Sequence, residues 1–93
     1  MLSIVRVNGD SMQPYYRHND YVLITSLGKK LLKSGQDVVC VHPKYGKMLK
    51  RISKVQSERI YLTGLNHMST SQADLGFINS TDVVGKVIYH LQP

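Results

Sequence analysis

The sequence predicts a small all-β domain, a barrel or a coiled sheet, on three observations. Its apolar runs are short and β-branched, as in Tyr21-Val22-Leu23-Ile24-Thr25 and Asp37-Val38-Val39-Cys40-Val41-His42. Gly, Pro, Asn and Ser punctuate those runs at short intervals. No stretch holds the 3.6-residue apolar period of an amphipathic helix. With 93 residues, 42% hydrophobic and 19% charged, the chain is expected to form one globular domain over residues 1–93.

The elements follow in order. Arg17-His18-Asn19-Asp20 is a turn, and Tyr21–Thr25 is the strand after it. Ser26 to Gly35 reads as a loop broken by Gly28, three lysines and Ser34-Gly35, with room for a helical turn around Lys29–Lys33. Asp37–His42 is a strand whose middle is apolar on both faces. Pro43-Lys44-Tyr45-Gly46 turns the chain into a strand over Lys47–Val55, so residues 37–55 read as a hairpin. Gln56-Ser57-Glu58-Arg59 is a polar turn before the strand Ile60–Thr63, which ends at Gly64. Asn66 to Ser80 is polar and irregular, a length that in compact domains points to function. Val83–Leu91 is a long closing strand.

Composition removes several classes. No run reaches the ~18 apolar residues of a membrane-spanning helix. The first residues lack the basic flank and apolar run of a secretory signal, so the chain is read as cytoplasmic, with no integral membrane segment. One cysteine, Cys40, excludes a disulfide framework and a cysteine-based zinc site. His18, His42, His67 and His90 have no ligand spacing and read as surface or loop residues, so no metal and no cofactor is expected. Twelve Lys and Arg against six Asp and Glu give a net charge of +6, which suits an acidic partner. The densest cluster, Lys44, Lys47, Lys50, Arg51 and Lys54, straddles a strand instead of forming a tail. A basic barrel for nucleic acid would use Tyr15, Tyr16, Tyr45 and Tyr61, but tyrosines there read better as core or rim residues, and nucleic acid is disfavoured as a partner.

Two local features carry chemistry. In Gly9-Asp10-Ser11-Met12-Gln13-Pro14, a flexible Gly and a stiff Pro flank a serine. Such a turn can present a hydroxyl beside backbone N–H groups, the parts of a nucleophile and an oxyanion site. The other reading of the hexapeptide is an ordinary Gly-Asp-Ser turn capped by Asp10 or Ser11. In Met48-Leu49-Lys50-Arg51-Ile52, strand alternation puts Met48, Lys50 and Ile52 on one face. An amine held there among apolar neighbours loses its charge more easily and becomes a usable base. The alternative is a lysine that snorkels from a solvated strand.

Taken in order, Gly9–Pro14, Tyr15–Ile24, Gly35-Gln36-Asp37-Val38-Val39 and Leu49-Lys50-Arg51-Ile52 resemble the LexA-like peptidases and the type I signal peptidases, which are Ser–Lys dyad serine peptidases on a β-rich fold. The resemblance runs from about Val5 to Ile88. It implies Ser11 as nucleophile, Lys50 as general base, and the N–H groups of Ser11 and Asp10 as oxyanion donors. It also implies Met12 and Pro14 in the segment shaping the substrate groove. Arg51 matches a family position that is not catalytic, and it could not deprotonate to replace Lys50. The later loop departs from the family. Gly64-Leu65-Asn66, Ser69 and Gly76 resemble the signal-peptidase stretch Gly-Asp-Asn, Ser and Gly, but Leu65 replaces an Asp, and Ser71-Gln72-Ala73 stand where Asp-Ser-Arg is found. Asn66 and Ser69 are thus implied as supporting residues, with Ser69 able to orient Lys50, while the family's ion pair is absent. Asn19 stands where Gly is common, a mild change because Asn tolerates positive φ.

The expected function is a serine endopeptidase that cleaves a peptide or protein in trans after a small residue, as in leader or maturation processing. Only ten residues precede Ser11 and none form an Ala-Gly pair, so self-cleavage is not expected. The expected partners are a peptide or protein substrate, bound as an added strand, and a second copy in a homodimer. The alternative is a catalytically degenerate peptide-binding or dimerisation domain of the same fold, for which Ser71-Gln72-Ala73 is the best support.

Overall fold

The computed structural model describes residues 1–9, 12–28, 31–64 and 76–92. It is a coiled, antiparallel all-β structure. Seven strands, β1 (Leu2–Arg6), β2 (Tyr21–Thr25), β3 (Asp37–His42), β4 (Gly46–Gln56), β5 (Arg59–Thr63), β6 (Phe77–Asn79) and β7 (Val83–Leu91), form one sheet in the order β1-β2-β7-β3-β4-β5-β6. The five strands anticipated from alternation are all present. Two were not anticipated. β1 is an edge strand with little burial to pattern it, and β6 is three residues inside the polar stretch read as irregular. A 3-10 turn at Ser80–Asp82 links β6 to β7.

The two long strands shape the sheet. β4 pairs with β3 over Gly46–Arg51 and with β5 over Arg51–Gln56. β7 divides itself in the same way between β3 and β2. Register shifts at Leu23/Ile24, Val39/Cys40 and Ile52/Lys54 add the local twist that bulges bring.

Each face of the sheet has its own core. On one, Val38, Cys40, Ile52, Ile60, Leu62, Ile78 and Val83 pack with Leu32 from the β2–β3 connection. On the other, Val22, Ile24 and Val39 pack with Val7, Met12 and Tyr16 from the β1–β2 connection. β3 is central and therefore apolar on both sides, as its sequence requires.

The β1–β2 connection is pinned where it leaves and rejoins the sheet. The Val7 N–H donates to the Asp20 carbonyl at 2.7 Å and the Asn19 N–H to the Val7 carbonyl at 2.8 Å. Asn19 has φ 74°, the left-handed conformation expected of it. The Asp20 carboxylate accepts the Arg17 N–H at 2.9 Å and lies 2.7 Å from His90 Nε2. The Arg17 N–H first, and His90 second, hold its carboxyl below the usual range. That contribution is present above the unfolded value of ~3.9 and is lost as pH falls through the lower folded one. Asp20→Asn is therefore expected to lower the melting temperature at neutral pH, with the difference from the parent closing under strong acid; melting curves from pH 7 to pH 2 check it.

The histidines correct one expectation. His18 is exposed, but His42 is buried, and its Nδ1 accepts the N–H groups of Lys44 and Tyr45 at 3.0 and 3.3 Å to shape the β3–β4 turn. His90 is half-buried against Tyr16, with ring centroids 4.5 Å apart. His67 lies outside the described residues. Cys40 is fully buried, and burial pushes its thiol up to about 12, so it is an inert packing residue as anticipated.

Candidate active site

Lys50 sits on β4 opposite Val38, and their side chains share a face with Cys40, Met48 and Ile52. Every one of those neighbours is apolar or a neutral thiol, which resolves the choice left open by alternation: Lys50 is 3% exposed and does not snorkel. Among the described residues it makes no ion pair, since those pairs are Arg51–Asp37 and His90–Asp20. Burial holds its amine below the ordinary lysine value; a thiolate at Cys40 would oppose this, but that thiol stays protonated. The sheet thus holds an amine biased toward its neutral, proton-accepting form.

A groove of about 340 Å³ lies on the Val22 and Val39 face of the sheet, opposite the face that carries the Lys50 side chain, and reaches β4 at Lys47–Leu49. Ile4–Asn8 forms one wall, Lys47–Leu49 the other, and Val22 and Val39 lie between them. Among the described residues, the outer edge of β1 pairs with no strand, and β4 pairs on its β5 side only from Arg51 onward. Two open backbone edges therefore line the groove, and Lys50 follows directly on the Leu49 end. Such edges are templates for an added strand.

The other anticipated site residues fall in two groups. Asp10, Ser11, Asn66 and Ser69 lie outside the described residues. The residues flanking the first two are described. Gly9 has φ 86°, and its N–H donates to His18 Nδ1 at 3.0 Å. Met12 is buried with Val22 and Val39, two residues that also line the groove, and Pro14 is exposed after a cis peptide bond. Sequence reading did not find the polar chain next to Lys50. Arg51 Nε and Nη2 donate to the two Asp37 carboxylate oxygens at 2.7 and 3.2 Å, and the Tyr16 hydroxyl donates to Asp37 Oδ2 at 2.6 Å. The Gly35–Asp37 and Lys50-Arg51 motifs held two of these groups, but only the strand register pairs them.

The Peptidase S24-like family model matches residues 1–88. The chain belongs to the Peptidase S24-like family. That agrees with the resemblance in the Gly9–Pro14 and Leu49–Ile52 motifs and with the all-β sheet that carries Lys50. A comparison with curated proteins found no match. In this S24-like chain no described helix is long and apolar enough to cross a membrane.

Proposed function

We propose that this S24-like protein is a serine endopeptidase in which Ser11 is the nucleophile and Lys50 the general base, acting in trans on a peptide or protein. The observation that carries the reading is the burial of Lys50 among apolar neighbours, with its amine biased toward the neutral form. A lysine kept only for solubility has no reason to bear that desolvation cost.

In this reading neutral Lys50 takes the Ser11 proton as the serine oxygen attacks the scissile carbonyl. The Asp10 and Ser11 N–H groups hold the developing oxyanion. The Lys50 ammonium then protonates the leaving amine, and Lys50 activates the water that opens the acyl-enzyme. Substrate lies as an extended segment between β1 and β4, and the valines between the walls favour small residues near the cleaved bond.

Two measurements test the reading. Ser11→Ala and Lys50→Ala are each expected to abolish cleavage of a partner peptide and acylation by a serine-reactive β-lactone; cleavage retained by either variant overturns the dyad. A bound non-hydrolysable peptide is expected to slow amide hydrogen exchange at Ile4–Asn8 and Lys47–Leu49 and to leave β5 and β6 unchanged. Protection confined to other strands would remove the groove as the binding site.

A further inference from the structure

We propose that Tyr16, Asp37 and Arg51 are positioning residues of this peptidase site: their hydrogen-bonded chain fixes the segment following Ser11 to the strand that carries Lys50. The inference rests on the peptidase reading above and adds three residues to it.

The chain is continuous. Arg51 adjoins Lys50 on β4, and Asp37 adjoins Val38, the cross-strand partner of Lys50. The Arg51 guanidinium grips Asp37 through two nitrogens, at 2.7 and 3.2 Å. This forked geometry fixes the plane of the carboxylate as well as its position. Asp37 Oδ2 then accepts the Tyr16 hydroxyl at 2.6 Å. Tyr16 is buried, its ring lies against His90, and its N–H donates to the Met12 carbonyl at 3.0 Å. Met12 is the residue after Ser11. Three links, made of four hydrogen bonds, thus run from the neighbour of the proposed base to the neighbour of the proposed nucleophile.

Apolar packing of Met12 and Tyr16 already anchors the loop to the core, so anchoring alone does not call for a directed chain. What the polar links add is orientation. Hydrogen bonds to a held carboxylate fix direction, which burial does not. Proton transfer between a serine and a lysine depends on that direction, and a displacement of about 1 Å costs on the order of 10²-fold in rate. Two members of the chain also keep one protonation state. Burial, and then the bond to Asp37, hold the Tyr16 phenol above its ordinary range, and Asp37 holds the Arg51 guanidinium up as well. Tyr16 and Arg51 therefore set geometry without adding an ionisation to the reaction.

The experiment measures the rate of Ser11 acylation by a β-lactone, per titrated active site, as a function of pH. The serine oxygen bonds to the lactone carbonyl carbon, the ring C–O bond breaks, and the serine proton passes through Lys50 to the ring oxygen. Tyr16→Phe, Asp37→Asn and the double variant are compared with the parent. Each single variant is expected to acylate about 10- to 100-fold more slowly. Peptide KM should stay within about twofold, and the pH at half-maximal rate should be unchanged. The double variant should be no slower than Asp37→Asn alone, because both changes break one chain. Tyr16→Phe keeps the ring and its packing, so it carries the test if Asp37→Asn fails to fold. Parental rates per active site overturn the proposal, as does a lower labelled fraction at an unchanged rate, which is what a purely structural role would give. Additive losses in the double variant also overturn it. Cleavage retained by Ser11→Ala or Lys50→Ala would instead remove the peptidase reading itself.

Discussion

Lys50→Met is expected to make the protein more stable at neutral pH while abolishing cleavage. The two effects share one origin. Lys50 lies opposite Val38 between Met48 and Ile52, and its burial disfavours the charged amine. At neutral pH the unfolded chain carries that charge in water, whereas the native state must bury or lose it. A methionine of similar length fills the same space without either cost, and a gain of about 1–2 kcal/mol is expected. For a chain of this size that is a melting-temperature rise of roughly 5–10 °C. The sign with pH is fixed by linkage. Between the lowered folded value and the unfolded value near ~10.4, the unfolded parent binds more protons than the native one, so parental stability rises with pH. The advantage of Lys50→Met is therefore largest below the folded value and closes toward pH 10. An advantage that persists unchanged at pH 11 would assign it to packing and contradict the desolvated amine.

Gly85→Ala is expected to be among the most damaging single-methyl additions. A Cβ on Gly85 would stand 2.8 Å from the Thr25 carbonyl oxygen, 3.1 Å from its carbon and 3.2 Å from Ile24 Cδ1. The first two are backbone atoms of β2, so no side-chain rotation relieves the contact. β7 joins β2 to β3 at this point, and moving the strands apart would open the seam between the two halves of the sheet. A loss of about 2–3 kcal/mol follows, or roughly 10–20 °C in melting temperature. Gly46→Ala is a useful contrast. There the positive φ of 78° is strained for alanine, but the added methyl meets nothing within 4 Å. It is expected to cost about 1 kcal/mol. Thermal melts of the two variants compare the effects, and equal losses would show that the Gly85 contact relaxes freely.

The central strands were legible because burial wrote itself into their sequences. Val38, Val39 and Cys40 are apolar in succession because both faces of β3 are covered, and β7 and β5 show enough alternation to be read. β1 was not legible: Leu2 and Ile4 lie exposed at a sheet edge, so no buried face constrains their pattern. β6 is too short, and too deep in a polar stretch, to stand out.

The site divided along the same line. Alternation placed Lys50 between Met48 and Ile52 but could not say whether it was buried. Burial depends on Val38 and Cys40, which the β3–β4 register brings across the hairpin. Asp37 and Arg51 were visible as motif members, yet their pairing with Tyr16 needs the β1–β2 connection folded over the sheet. His90 was read as a surface residue because its partner Asp20 is 70 positions away. Local sequence showed the chemically capable residues; long-range pairing decides which of them meet.

The most direct measurement is the pH dependence of Ser11 acylation in the parent and in Lys50→Ala. The expected result is a rate that climbs to a plateau at a pH well below the ~10.4 of a free lysine, with labelling confined to Ser11 and lost in Lys50→Ala. A rate that keeps climbing through pH 10, or that survives the loss of the Lys50 amine, would contradict a buried neutral lysine as the base.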